Sequence, residues 1–200
     1  MLLVQGQGVI VEKIAAVVNE EIITLGDVNR AVLFYPVFQK QNETEARFFN
    51  RVLHDLINYK VIYLEYKDDF TLADDDYEEV QIAIIKKVGS LRTLYALFDR
   101  LSMDWQDFKS FIAEKVMYEK VLKRKFQLKI VVRFQEIEDF YNQQYLPLQR
   151  KLNLQPKTLV EMAGLIEKHL QKEKTEERLA SWLKEMRDLY TIENKLIEES

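Results

Sequence analysis

Residues 9–24 read VIVEKIAAVVNEEIIT. Residues 9–18 are rich in β-branched side chains, which favour a strand. Asn19-Glu20 suits a tight turn, and Glu21-Ile22-Ile23-Thr24 supplies the return strand of a β-hairpin. Thr24 then suits a helix N-cap, with Asp27 three positions on to complete a capping box. The tail Tyr190-Thr191-Ile192-Glu193-Asn194-Lys195-Leu196-Ile197 also alternates in polarity. The only obvious partner for it as a strand is the N-terminal hairpin.

Between these ends the periodicity is helical. Val28, Ala31, Val32 and Tyr35 define a first helix, which Pro36 should end. Asn42 or Thr44 opens a second, with Phe49, Val52, Leu53, Leu56 and Ile57 on one face. A third runs from the Ala73-Asp74-Asp75-Asp76 region to Val88, with Gly89 as its C′ residue. Ser90 caps a short helix carrying Leu91, Leu94, Tyr95 and Phe98. Ser102 is expected to start the next, which bears Trp105, Phe108, Ile112 and Val116 and ends near Phe126. Leu128 to Val132 reads as a short β-like or extended piece, 134–145 as a helix, and 146–156 as a loop holding two prolines. From Thr158 to about Tyr190 the chain is helical again. That helix is apolar at both ends and polar between Gln171 and Arg178, so it can dock at each end. The expected fold is mainly α with a small β element.

Composition agrees. Of 200 residues, 48% are hydrophobic, enough for a sizeable core, and the 5 Gly and 3 Pro are too few for a turn-rich β fold. With 29 basic against 33 acidic residues, net charge −4, the chain is not a basic nucleic-acid binder. No apolar run is long enough for stable membrane insertion. The absence of Cys excludes disulfides and thiolate chemistry and suits either redox compartment. Met1-Leu2-Leu3-Val4 is too short for an intact signal-peptide core.

Chemistry-bearing patterns are sparse. Neither common phosphate loop is present, nor a nucleophile elbow, and no cofactor or metal is expected. Asp74-Asp75-Asp76 lacks the alternate ligand spacing of a calcium loop and reads as acid at a helix N-terminus. His54 reads as a partly buried helix residue, His169 as solvated, and Lys123-Arg124-Lys125 as a basic helix C-terminus. Adjacent carboxylates such as Glu78-Glu79 and Glu176-Glu177 diverge on a helix and make poor acid–base pairs.

The 11 Phe, 10 Tyr and 2 Trp say more. Most fall on core stripes. Phe34, Phe38 and Phe48 lie off them, and Tyr145, Leu146 and Leu148 sit in or beside the expected loop. These six are candidates for an exposed apolar patch that binds other chains.

The order of segments resembles the SurA-type periplasmic chaperones. VEKIAAVVNEEIIT (residues 11–24) is similar to the hairpin that opens them. RVLHDLI (residues 51–57) looks like the family's second helix, and the stretches 74–90 and 94–118 like the helices that follow. EIEDFY (residues 136–141) resembles the exit helix. EERLASWLKEMR (residues 176–187), followed by a strand-like tail, resembles the helix and strand that close SurA and its relatives PpiD and PrsA. Leu101 stands where the family often has Gly, and His54 where an acid is common. Parvulin isomerase modules, which relatives carry between the exit and final helices, have only 146–157 in their place, so isomerase activity is not carried over.

The resemblance implies a chaperone domain of three parts: an N-terminal part at 9–145, a short loop at 146–157, and a C-terminal helix and strand at 158–197 that pack back on it. It implies an ATP-independent, non-catalytic periplasmic holdase for unfolded outer-membrane or secreted polypeptides. A homodimer by exchange of the C-terminal strand is open to such a fold. The rival reading is an adaptor or scaffold module with one dedicated protein partner.

Overall fold

The computed structural model describes residues 12–126 and 130–196. Strands β1 (Ile14–Val18) and β2 (Glu21–Thr24) form the hairpin. Helices α1 (Leu25–Phe34), α2 (Glu45–Tyr66), α3 (Asp74–Val88), α4 (Leu91–Leu101) and α5 (Trp105–Lys125) follow. Then come α6 (Phe134–Phe140), a π-helical turn (Tyr141–Tyr145), α7 (Leu146–Lys151), α8 (Leu159–Asp188) and β3 (Ile192–Asn194). The fold is mainly α with one small antiparallel sheet, in the order β2-β1-β3.

The two distant ends of the sequence meet in that sheet. β1 pairs with β2 (Val17↔Ile22, Val18↔Glu21) and on its other edge with β3 (Val18↔Ile192, Ala16↔Asn194). Asn19 holds the turn with φ 52°, a conformation that Asn tolerates better than most residues. It also ties the tail. Its N–H donates to the Thr191 carbonyl, and its side-chain oxygen accepts from the Thr191 N–H, both at 2.8 Å. Val9 to Val11 and Ile197, expected as strand residues, lie outside the described residues, as does Leu128.

Local signals set the helix ends. Thr24 Oγ1 accepts from the Asp27 N–H at 3.1 Å, and the Thr24 N–H donates to the Asp27 carboxylate at 2.8 Å. Thr44 and Ser90 cap α2 and α4 through their hydroxyls. The three aspartates at 74–76 form the first turn of α3, where Asp74 and Asp76 pair with Lys109 and Lys120. Gly89 ends α3 at φ 100°.

Several expectations are corrected. Ser102 does not start α5. It ends α4 at φ 51°, and Asp104 and Asp107 cap α5 reciprocally (3.0 and 2.7 Å). Residues 130–133 belong to no strand. Residues 146–151 are helical rather than loop: α6, the π-helical turn and α7 run on without a break, and Pro147 stands just after the π-helical turn. His54 is exposed, 3.7 Å from Asp55, rather than partly buried.

The chain forms two compact units, Met1–Val121 with Met186–Ser200, and Leu122–Glu185. The two units divide inside α5 and α8, where a continuous helix shows no linker-like composition. The larger unit has one core built on Val28, Phe34, Leu53, Ile84, Leu94 and Phe108, onto which Met186, Tyr190 and Ile192 pack. The smaller has a core of Val132, Ile137 and Ile166.

Candidate functional site

Helix α1 carries two stripes. Val28, Ala31 and Phe34 are buried in the core, while Gly26, Asn29, Arg30 and Leu33 form a second row beside them. Helix α4 repeats this arrangement: Leu94 and Phe98 are buried, and Thr93, Leu97, Arg100 and Leu101 run alongside. Residues three and four apart share a helix face, so each second row is continuous. With Val88 from the end of α3, the two rows line a groove of about 780 Å³. Its apolar surface comes from Val32, Leu33, Val88, Leu97 and Leu101, all half-buried. A volume of this order falls within the range of sites that enclose a compact ligand, about 300–1,000 Å³.

Polar fasteners hold the walls. Pro36 follows the end of α1, and carbonyls there need donors from elsewhere. Lys87 of α3 supplies them. Its Nζ donates to the carbonyls of Val32 (2.5 Å), Tyr35 (2.6 Å) and Phe38 (3.3 Å). Burial holds the Lys87 ammonium below the usual lysine range. Arg30 pairs with Asp27 at 2.6 Å. Burial raises the Asp27 carboxyl, but hydrogen bonds from Arg30 and Thr24 outweigh it and leave the group below the usual carboxylate range.

A second, much smaller cavity of about 100 Å³ lies between α1, α2 and α5, beside Tyr35, Tyr59, Lys60 and Glu114. Lys60 Nζ sits 2.5 Å from the Glu114 carboxylate. Burial nevertheless pushes Glu114 above the usual carboxylate range, against the pull of Lys60. Lys115, itself buried, lies over the rings of Tyr35 and Tyr59 (5.5 and 5.1 Å) and pairs with Glu119 at 2.6 Å. Every charge in this cluster has a counter-charge or an aromatic face, the pattern of a satisfied interior network. Among the described residues, no group of three His, Asp or Glu is placed to hold a metal ion. No helix among them is long and apolar enough to cross a membrane.

The six residues singled out in the sequence do not line the groove. Phe34, Phe38 and Phe48 are 0%, 2% and 5% exposed, which corrects their expected place on the surface. Phe34 packs edge-on against Phe108 at 5.5 Å, and Phe38 lies 6.0 Å from Tyr35. Phe48 stacks on Phe49 at 5.9 Å, under the Arg51 guanidinium. The other three belong to the smaller unit. Tyr145 stacks on Tyr141 at 5.3 Å, and its hydroxyl accepts from the Lys157 N–H, so it pins the chain returning towards α8. Leu146 is half-buried and Leu148 exposed. The groove residues Leu33, Leu97 and Leu101 were missed. Their signal was the apolar row one position beside each core stripe.

Compared with known proteins, the chain matches no family model, and no curated protein matches it.

Proposed function

We propose that this protein is an ATP-independent holdase of the periplasm that shelters apolar segments of unfolded outer-membrane or secreted polypeptides in the groove between α1, α3 and α4. The observation that carries the reading is the groove itself, an apolar hollow left open beside a well-packed core. An unfolded chain brings aromatic and aliphatic side chains in alternation, and burying them is favourable whatever their order. Such contact is non-directional and releases without nucleotide. The meeting of β3 with the hairpin supports the same reading, since it completes the larger unit from both ends of the chain.

The test is light scattering by a urea-unfolded outer-membrane β-barrel protein diluted into buffer with and without this protein. Wild type should slow aggregation. Leu97→Glu, at a half-buried wall position, should lose the effect while keeping wild-type circular dichroism. The proposal fails if wild type neither slows aggregation nor binds client peptides. Tight binding to one peptide, with indifference to others of similar hydropathy, would mark an adaptor instead.

A further inference from the structure

The groove is apolar, but its charges all have one sign. Arg30, Lys87 and Arg100 line it, and among the described residues no carboxylate does, although acidic residues outnumber basic ones in the chain by 33 to 29. The three cations are not equivalent. Arg30 is neutralised by Asp27 at 2.6 Å. Lys87 gives its hydrogens to the carbonyls at the end of α1, and no carboxylate pairs with it among the described residues, so its charge stays uncompensated. Arg100 is exposed in the last turn of α4 and makes no ion pair or hydrogen bond with another described residue. Asp99 precedes it in sequence, and side chains one position apart on a helix diverge. The negative end of the α4 dipole offsets only part of a unit charge.

An apolar trough with an unspent guanidinium at its rim selects more than hydropathy. We infer that the segment taken by this groove is an apolar stretch flanked by a carboxylate, with Arg100 as its specificity contact and Lys87 adding to the local positive potential. The inference rests on the groove being the binding site. Arginine suits the role because its planar fork can meet both carboxylate oxygens at once. The contact lies at the rim, where water and salt screen it, so the preference is modest: an exposed pair of this kind shifts affinity by about two- to fivefold.

The experiment uses the whole protein and fluorescence anisotropy. Three labelled peptides share one alternating Phe/Leu core and differ only in two flanking residues: Glu, Gln or Lys. The expected order of affinity is Glu, then Gln, then Lys, with the spread narrowing as salt rises. Arg100→Glu should reverse the order of the Glu and Lys peptides, a result that mere loss of packing would not give. Equal affinity for the three, or an order that Arg100→Glu leaves unchanged, overturns the inference and leaves the groove reading standing. If no peptide binds, or if Leu97→Glu alters none of the affinities, the groove reading falls and this inference with it.

Discussion

Asn58 is 3% exposed, in the middle of α2 on a face shared with the buried Val61 and Ile62. Its side-chain oxygen accepts from Arg187 Nη1 at 2.6 Å, a link between residues 129 apart in sequence. Arg187 lies in the last turn of α8, just before the segment that becomes β3. Replacing it by Met keeps the bulk but removes a charge-assisted hydrogen bond and leaves a buried amide oxygen without a donor. Both effects act in the same direction, and together they should cost about 2–3 kcal/mol. For a unit of this size the melting temperature should fall by about 5–10 °C. Asn58→Leu should cost less, about 1 kcal/mol, because Arg187 is only half-buried and can turn to water. The double variant should lie close to Arg187→Met or above it, with a coupling of about 1 kcal/mol or more. The two tryptophans make the measurement local, since Trp105 is in the larger unit and Trp182 in the smaller. In a Trp182→Phe background, urea unfolding followed by fluorescence reports Trp105, which lies 5.5 Å from Phe108 of the larger core. A change below about 0.5 kcal/mol for Arg187→Met, or strict additivity, would show that water already satisfies Asn58 and that the bond does not fasten the C-terminal segment.

Glu114 gives a pH signature. Burial raises its folded-state pKa above the ordinary 4.5, so between these values the native state binds more protons than the unfolded state. Stability from this group is therefore complete at the acid side of the window and declines as pH rises through it. Glu114→Gln should remove that decline in denaturation measured across mildly acidic to neutral pH. A wild-type stability that instead rises relative to the variant would mean that Lys60 more than repays the burial. Gly89→Ala tests the α3–α4 turn: its φ of 100° disfavours any Cβ, while the space around it is open. The cost should be purely conformational, about 1 kcal/mol by chemical denaturation. No cost would mean that the turn relaxes freely.

Most of the helices and several of their caps were legible because their signals are local. Thr24 with Asp27, Gly89 and Ser90 each act within one turn of chain, and the structure uses all of them. The pairing of the tail with the hairpin was legible because few other strands were on offer. The site was not, for a geometric reason. A buried helix face is about 100° wide or more, so Phe34 belongs to the core together with its neighbour Tyr35. Phe48 shares the stripe of Val52 and Leu56 at four-residue spacing, and choosing Phe49 shifted that stripe by one position. Phe38 lies beyond α1, where its N–H donates to the Tyr35 carbonyl at 3.2 Å, and a helical pattern cannot place a residue in such a bend. The unit boundaries were hidden because helices cross them.

An open apolar groove needs an account of why it does not collapse, since its own side chains would gain by closing on each other. The answer lies in how α1, α3 and α4 are held. The carbonyls at the end of α1 that lack helical partners accept from Lys87, so the last turn of α3 is fixed at that point by directional bonds rather than by filling of the space between. The chain then reverses through Gly89 and Ser90, and the Ser90 hydroxyl caps α4 by accepting from the Thr93 N–H at 3.1 Å. Two residues of linker leave α4 little freedom to move. Its other face is anchored by Leu94 and Phe98, both in the core, with Phe98 5.0 Å from the ring of Phe108. Closing the groove would require α4 to roll away from Phe108 or Lys87 to release its carbonyls, and each uncovers groups that are expensive to leave unpaired or wet. The hollow is thus maintained by the bonds of Lys87 in its wall and by the packing of Leu94 and Phe98 in the core. Its leucines are not needed to hold the walls apart, which lets a row of them stand beside an unpaired arginine.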